Sequence, residues 1–356
     1  MTETDVVVVG AGQSGLAAAR TLRSQGIAPV VLEAGPEPVG SWPHYYDSLT
    51  AFSPARHSGT IGAAFPGDPD RYPHRDEVVD HLRRYAAGLD VDIRTNTPVT
   101  AAEADGAGFL VRTAAGDTIR AAGVVAATGS FANPHVPMLP GQADYTGRLL
   151  HVSAYRNPEQ HAGERVVVVG AGNSAVQVGY ELAKVATLTL ATRRPLAFLP
   201  QQRNGQDLHH WLATTGFDLL PPEWLTNYFD GTLVVDTGDY RDAVETGRLD
   251  RRDMFTAFDT NGVVWSDGTR EDVDTVILAT GYRPNVAFLE PLGALDDGLP
   301  RHSHGISATH PGLVYLGLEF QRSFSSNTLR GVHRDAEYVI PNVVAHLRGA
   351  AAAVGL

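Results

Sequence analysis

One seven-residue segment, VVVVGAG, occurs twice in this chain, at residues 6–12 and again at residues 166–172. Each copy joins a run of β-branched residues to a glycine-rich turn, and a stretch with helical patterning follows, at 13–25 and at 173–184. Another apolar, strand-like run comes after each helical stretch. A strand–helix–strand pattern that is present twice predicts an α/β fold with two Rossmann-like, parallel-sheet nucleotide-binding domains.

A second pair of similar segments supports two domains, VVAATGS at 124–130 and VILATGY at 276–282. Each is an apolar strand that ends in Ala-Thr-Gly, a sharp turn at which the backbone can approach a ligand closely. Because the second pattern lies inside the chain, we predict one domain inserted in the other. The first domain is residues 1–160 plus 285–356, and the second is residues 161–284.

The first glycine-rich turn has the spacing of a dinucleotide site. Gly10, Gly12 and Gly15 form G-x-G-x-x-G between a strand and a helix. The first glycine makes the turn, the second lets a pyrophosphate approach, and the third lets helix and strand pack. Glu33 lies 23 positions after Gly10, close to the spacing of about 20 at which an acidic residue binds ribose hydroxyls. Gln13 and Ser14, at the N-terminus of the helix that follows the turn, are also predicted to bind this dinucleotide.

The second turn differs from the first where the ribose is bound. Gly170, Gly172 and Ala175 repeat the pattern, with alanine at the position that only sets packing. The same step of 23 residues reaches Arg193, and Arg194 follows. A guanidinium pairs with a ribose 2′-phosphate, which a carboxylate would repel. The alternative is that both arginines are solvated charges at a strand end. This turn also supplies Asn173 and Ser174.

Two dinucleotide sites on one chain indicate FAD in the first domain and NADPH in the second, with hydride passing between them. An enzyme that binds two nicotinamide cofactors is the rarer alternative.

Composition excludes several other classes. The chain has no cysteine, which rules out dithiol redox pairs, zinc fingers and iron–sulfur clusters. Its one lysine, Lys184, precedes Val185 and makes no P-loop. A net charge of −12 argues against nucleic-acid binding. The paired histidines lack acidic ligands at helical spacing, so no metal is expected. No apolar run reaches the roughly 20 residues of a membrane span, and the expected location is the cytoplasm.

One further motif carries a family resemblance. Residues 145–155 read YTGRLLHVSAY, in which Gly147, His151 and Tyr155 fit F-x-G-x-x-x-H-x-x-x-(Y/F) and tyrosine replaces the first phenylalanine. An Ala-Thr-Gly-Tyr element follows at 279–282. These motifs resemble those of the flavin-containing monooxygenases, class B flavoprotein monooxygenases that hold FAD and NADPH on one chain. In length the sequence is similar to short bacterial members.

The resemblance extends the predicted cofactor sites. The segment GSWPHYYDSL looks like the family's flavin-contacting loop, and SSNTLRGV before the last helix looks like its flavin pyrimidine segment. For FAD, these segments and the first Ala-Thr-Gly element add Gly40, Ser41, Trp42, Thr128, Gly129, Thr328 and Leu329. For NADPH, the second Ala-Thr-Gly element adds Thr280 and Gly281.

The resemblance also implies a reaction. NADPH reduces the flavin, O2 adds at C4a to give a hydroperoxide, and one oxygen atom passes to a small soft nucleophile, a sulfide or an amine. Tyr155 favours this branch over Baeyer–Villiger oxygenation of ketones, whose enzymes usually carry tryptophan there. An NADPH-dependent reductase or oxidase passing electrons to a quinone, O2 or a protein is one alternative, and a redox sensor is another. A homodimer is an open alternative to a monomer.

One residue departs from the family pattern. The larger members have an asparagine near flavin C4a, and in SLTAFSPAR this place is taken by Phe52. A phenyl ring cannot donate a hydrogen bond, so Phe52 is the candidate catalytic-environment residue at which this chain would differ from them.

Overall fold

The computed structural model describes residues 2–225 and 233–354. The α-helices in these ranges are α1 (Gln13–Ser24), α2 (Arg75–Ala87), α3 (Asn173–Leu182), α4 (Leu208–Thr214), α5 (Pro222–Leu225), α6 (Asp239–Glu245) and α7 (Val332–Val354). Short 3₁₀ turns cover Trp42–His44, Ala55–His57, Gln142–Asp144, Val152–Ala154, Pro158–His161, Phe217–Leu219 and Ala287–Leu292.

The strands are β1 (Thr2–Val9), β2 (Val30–Leu32), β3 (Asp92–Arg94), β4 (Val99–Asp105), β5 (Gly108–Thr113), β6 (Thr118–Ala126), β7 (Arg148–His151), β8 (Arg165–Val169), β9 (Thr187–Thr192), β10 (Ala197–Pro200), β11 (Gln202–Arg203), β12 (Gln206–Asp207), β13 (Leu233–Asp236), β14 (Asp250–Asp253), β15 (Ala257–Asp259), β16 (Gly262–Val264), β17 (Arg270–Asp272), β18 (Thr275–Leu278), β19 (Leu295–Asp296), β20 (Leu299–Pro300), β21 (His302–Ser303), β22 (Ile306–Ser307) and β23 (Leu313–Tyr315).

The larger sheet has nine strands built around β1. Its spatial order is β21-β22-β23-β6-β1-β2-β3, and β5 joins β4 to β6 as an antiparallel extension. The strands from β23 to β3 run parallel. A buried parallel strand presents apolar residues on both faces, as the run Val6–Val9 does. The predicted α/β architecture is confirmed for this half of the molecule.

The smaller sheet has five parallel strands in the order β14-β9-β8-β18-β7. Here β8 stands where β1 stands in the larger sheet, with the second VVVV run at its centre. The predicted boundary at residue 160 puts β7 in the first domain, whereas its backbone pairs with β18 in this sheet, with Leu150 opposite Ile277. Strand β7 thus belongs to the smaller sheet, and the predicted division into domains stays a prediction.

Helices α1 and α7 cover one face of the larger sheet. Ala18 and Ala19 of α1 are fully buried, in one cluster with Val339 and Val343 of α7. Small side chains on α1 let the two helices and the sheet approach closely, and this packing fixes the start of α1 below the glycine-rich turn.

Two chain segments connect the sheets and lie side by side; we call residues 128–135 and 281–285 the connecting ribbon. The His135 N–H donates to the Gly281 carbonyl at 2.9 Å, and the Asn285 N–H donates to the Gly129 carbonyl at 2.8 Å. The Thr128 hydroxyl also donates to the Asn285 carbonyl at 2.5 Å. The two segments are antiparallel, so the two Ala-Thr-Gly turns lie at opposite ends of the ribbon, Gly129 beside Asn285 and Gly281 beside His135.

The sequence predicts ordered loops at 36–75 and 195–235. The structure instead folds much of the second segment into short elements, including β10, which pairs in parallel with β13, and helix α4. Residues 226–232 of that segment lie outside the described residues. No α-helix in the described ranges is both long and apolar enough to cross a lipid bilayer.

Candidate cofactor and oxidation site

A cavity of about 1870 Å³ runs between the two sheets. A site for one small molecule usually measures about 300–1,000 Å³, so this volume accommodates two dinucleotides. Most residues that were predicted to bind FAD line the cavity: Gly10, Gly12, Gln13, Ser14, Glu33, Gly40, Ser41, Trp42, Thr128, Gly129, Thr328 and Leu329. Those of the second unit are Gly170, Gly172, Asn173, Ser174, Ala175, Arg193, Arg194, Thr280 and Gly281.

The first glycine of each turn packs against the Ala-Thr-Gly element of its own sheet. Gly10 has φ +98°, and a Cβ atom there would lie 2.6 Å from the Ala127 carbonyl oxygen. Gly170 has φ +146°, and a Cβ atom there would lie 2.4 Å from the Ala279 carbonyl oxygen. Only glycine fits either place, so both turns bring two strand ends together at the floor of the cavity.

Gly15 is the one predicted cofactor residue that does not line the cavity. A Cβ atom there would lie 1.8 Å from the Gly10 carbonyl oxygen, so this glycine sets the packing of α1 against its strand.

Both helices that open on the cavity have uncapped N-termini. Gly12 and Gly172 are the N-cap residues of α1 and α3; neither helix has a side-chain cap or an acidic residue in its first turn. The first helical hydrogen bonds are donated by Leu16 and Val176. The N–H groups before them are left for an anion, and the helix dipole favours negative charge there. These residues fit the pyrophosphate groups of FAD and NADPH.

The ribose positions carry opposite charges. Glu33 is buried, and its two carboxylate oxygens accept hydrogen bonds from the Ala11 N–H at 2.6 Å and the Gly35 N–H at 2.8 Å. Its orientation towards the cavity is thereby fixed. Arg193 and Arg194 are exposed and line the cavity at the end of β9. Arg193 forms no ion pair with a carboxylate of the described residues.

The predicted flavin loop is tied to α1 and to the C-terminal segment through one glutamine. The Gln13 side chain accepts from the Trp42 indole N–H at 2.9 Å and donates to the Asn327 carbonyl at 2.7 Å. One side chain thus holds three segments that are far apart in sequence around the first turn.

The fingerprint histidine and tyrosine lie beside the cavity rather than in its wall. His151 Nε2 lies 3.0 Å from the Gly281 carbonyl oxygen, which anchors the connecting ribbon; burial lowers the pKa of this imidazole. The Tyr155 hydroxyl donates to Glu181 at 2.5 Å, and burial together with this carboxylate raises the pKa of the phenol. Both residues hold neighbouring elements in place.

Phe52 lines the cavity, and its backbone is held by the segment after β10. The Gln201 side-chain N–H donates to the Phe52 carbonyl at 3.0 Å and to an Asp207 carboxylate oxygen at 2.6 Å. Asp207 also accepts from the Tyr72 hydroxyl at 2.5 Å. Burial acts to raise the pKa of Asp207, but these bonds and one from His209 outweigh it and lower the pKa to about 2.

Sequence reasoning did not predict His209 as part of the cavity wall and weighed this residue only as a metal ligand. The imidazole is buried, lines the cavity, and has Nδ1 at 2.8 Å from Asp207. The available signal was the Asp-x-His spacing at 207–209. His57 lies nearby, with its ring centroid 6.2 Å from that of His209. Within the described residues, no cluster of three or more acidic or histidine side chains could hold a metal ion.

Comparison with known proteins agrees with this geometry. A family model described as pyridine nucleotide-disulphide oxidoreductase matches residues 7–215. A flavin-containing monooxygenase from Stenotrophomonas maltophilia superposes with a TM-score of 0.85 at 30% identity, over 97% of this chain and 99% of that one. Indole-3-pyruvate monooxygenase YUCCA1 from Oryza sativa subsp. japonica is 34% identical over 81% of this chain and 79% of its own length.

A third relative is named an uncharacterized oxidoreductase, CzcO-like, from Geobacillus kaustophilus; it is 30% identical over 96% of this chain and 99% of its own length. The disulphide chemistry in the family model's name requires cysteines, and this chain has none. The cavity with two dinucleotide turns and these likenesses lead to one conclusion: the chain belongs to the flavin-containing monooxygenase family, flavin-dependent oxidoreductases that use FAD and NADPH.

Proposed function

We propose that this chain inserts one oxygen atom from O2 into a small soft nucleophile, a sulfide or an amine, with NADPH as the reductant. The observation that carries the proposal is the shared cavity, which has Glu33 beside one glycine-rich turn and Arg193 beside the other. FAD and NADPH bound there supply hydride transfer and the activation of O2. The chain itself binds both cofactors, orients them and limits the access of water.

The first unit is proposed to hold FAD. The N–H groups at the start of α1 bind its pyrophosphate, Glu33 accepts from the adenosine ribose, and Trp42 and Leu329 flank the flavin end. Both carboxylate oxygens of Glu33 already accept backbone hydrogen bonds, so the side chain reaches the ligand without reorganisation. A prearranged acceptor lowers the conformational entropy lost on binding.

The second unit is proposed to hold NADPH, with its pyrophosphate on the start of α3. Arg193 and Arg194 bind the 2′-phosphate, for which the guanidinium fork is well shaped. Support comes from Arg193, which lines the cavity and has no carboxylate partner among the described residues.

A carbonyl substrate is the second candidate. The rice relative is named for indole-3-pyruvate, a 2-oxo acid. Tyr155 supports the first candidate only through family resemblance, since its hydroxyl is bonded to Glu181, away from the cavity.

NADPH oxidation in air tests the function directly. Purified holoenzyme is incubated with sulfides, amines, ketones and 2-oxo acids, and oxygenated product and hydrogen peroxide are both quantified against NADPH consumed. Sulfoxide or amine oxide formation supports the proposal. Product only from carbonyl substrates selects the second candidate. Rapid NADPH oxidation with an added quinone and no oxygenated product from any substrate assigns a reductase instead.

A further inference from the structure

The pair Asp207 and His209 lies between two segments that face the proposed flavin site. On one side is Phe52. The side-chain amide of Gln201 donates hydrogen bonds both to the Phe52 carbonyl and to Asp207. On the other is Arg330, which directly follows Leu329 and lines the same cavity as His209. The pair is thus linked through Gln201 to Phe52, which lies on the part of the cavity wall predicted to surround flavin C4a.

The hydrogen bonds leave one ring nitrogen of His209 available. Nδ1 lies 2.8 Å from an oxygen of Asp207, and the backbone N–H of His209 donates to the same oxygen at 2.7 Å. Nε2 has no hydrogen-bond partner among the residues that the structure describes. An ionised carboxylate that accepts from Nδ1–H fixes the ring orientation and stabilises the imidazolium, so Nε2 can hold a proton for transfer.

The other ionisable groups near His209 each favour one protonation state. Burial lowers the pKa of His57, with His209 and Arg330 adding to the effect, so His57 favours the neutral form. The guanidinium of Arg330 is offset by Asp218, at 2.8 and 2.9 Å. Burial and the hydrogen bond that Tyr72 donates to Asp207 raise the pKa of the phenol to about 12 and keep it protonated at neutral pH.

The proposed reaction takes up one proton in each turnover. NADPH gives a hydride, and one oxygen atom of O2 goes to the sulfide or amine. The other oxygen atom leaves as water, which requires that hydride and one proton from the medium. A group that delivers this proton must reach the reacting oxygen and then recover a proton from solvent.

We propose that His209, oriented by Asp207, is the acid that delivers this proton: its Nε2–H bond breaks as an O–H bond forms on the oxygen atom that leaves as water. Solvent then returns a proton to Nε2. This inference rests on the proposed function and adds a catalytic residue to it.

The first test uses His209→Asn in the full-length holoenzyme. Asparagine keeps an N–H group for Asp207 and removes the proton at Nε2. Loss of a general acid lowers a rate by about 100-fold or more, so the rate of product formation falls by that factor, and hydrogen peroxide accounts for more of the NADPH consumed. The wild-type rate decreases at high pH, where the acid is no longer protonated, and the variant lacks this decrease.

The matched control is His210→Asn. His210 is the next residue of α4, its ring packs against Trp211, and it is not part of the cavity wall. This variant retains the wild-type rate, coupling and pH profile. FAD content and anaerobic reduction by NADPH are measured in parallel, and both stay at wild-type values in the two variants, because neither needs the proton from His209.

A spectroscopic readout separates proton transfer from simple packing. Histidine labelled with ¹³C at Cε1 gives an NMR titration of the holoenzyme, in which the His209 signal is the one missing from His209→Asn. Asp207→Asn keeps the helix cap, since asparagine caps as well as aspartate. Loss of the carboxylate removes a charge that favours the imidazolium, so the NMR titration and the pH at which the rate declines move down together.

The outcomes are distinct. If His209→Asn forms product at the wild-type rate, with the same coupling and pH profile, the inference is overturned and the proposed function stands. A wild-type enzyme that oxygenates no substrate overturns both. If His209→Asn does not fold, Asp207→Asn decides: an imidazole titration that moves in this variant while the rate profile does not move contradicts the role of His209.

Discussion

At the scale of single residues, the two units differ most at one position. Glu33 and Arg193 each lie 23 residues after the first glycine of their turn. The turns themselves are alike down to the carbonyl that each glycine contacts. We therefore expect coenzyme choice to depend on the charge at the end of the second strand rather than on the shape of the turn.

Neutralising Arg193 and Arg194 together, as glutamines, should weaken the use of NADPH. A hydrogen bond to a charged group contributes about 1.5–3 kcal/mol, or about 10- to 100-fold in apparent affinity. We expect the KM for NADPH to rise by such a factor while the KM for NADH changes little. Arg270→Gln, at an exposed arginine of β17, is the control and should alter neither value. Equal use of both coenzymes by the unaltered enzyme would refute the 2′-phosphate assignment.

Phe52 is expected to limit how efficiently electrons reach product. Its ring adds apolar shielding but no donor, and a hydrogen bond to a developing anion is worth on the order of 2–4 kcal/mol. The wild-type enzyme should therefore release much of its NADPH turnover as hydrogen peroxide, and Phe52→Asn should shift that share towards product. Phe52→Leu, which also lacks a donor, should behave like wild type. Tight coupling in the unaltered enzyme would show that Phe52 does not control this step.

At the scale of elements, the glycine-rich turns separate folding from binding. A methyl group on Gly12 would lie 3.4 Å from the Gly40 Cα, an ordinary van der Waals contact that the protein tolerates. The same methyl group stands where the pyrophosphate must approach.

Gly12→Ala should therefore give a folded protein without its flavin. We expect FAD to fall from about one per chain, held without a covalent bond, to near zero. Far-UV circular dichroism should be unchanged, and absorbance near the flavin bands gives the FAD ratio. Gly349→Ala, where an added Cβ meets nothing within 4 Å, serves as the control. Full flavin content in Gly12→Ala would contradict the assignment of this site.

The elements that sequence could predict are those whose signals are local. Both strand–turn–helix units are predicted by seven consecutive residues and the helical pattern after them. The segment after β9 gives no such signal, because β10 gains its partner only from β13, more than 30 residues later. The contact of Gln201 with Phe52 spans 149 positions, so neither it nor the placement of Asp207 and His209 could be found from spacing alone.

At the scale of the whole molecule, one buried ion pair joins the segment after α4 to the C-terminal segment before α7. Asp218 and Arg330 have side chains that are 2% and 10% exposed, and both guanidinium contacts are shorter than 3 Å. The Asp218 carbonyl also accepts from the Ser325 hydroxyl at 3.0 Å. These contacts hold the segment after α4 against the C-terminal segment.

Asp218→Asn should destabilise the protein markedly. Removing one partner of a buried pair leaves an uncompensated charge, which lowers the free energy of unfolding by about 3–5 kcal/mol. Asp242→Asn breaks an exposed pair with Arg248 and should change it by less than about 1 kcal/mol. Urea unfolding of the holoenzyme measures both. Equal, small effects would mean that the Asp218 pair is as well solvated as the surface one.

The connecting ribbon has a mechanical consequence. Its two segments are hydrogen-bonded to each other at several points. They therefore bend together, and the two sheets are joined by a paired connection rather than by a single flexible chain. Twisting the two sheets about the ribbon would break the hydrogen bonds between its segments, whereas bending the ribbon as a hinge preserves them. Any opening of the cavity should then follow one hinge direction. The two glycine-rich turns should separate and come back together along that same direction.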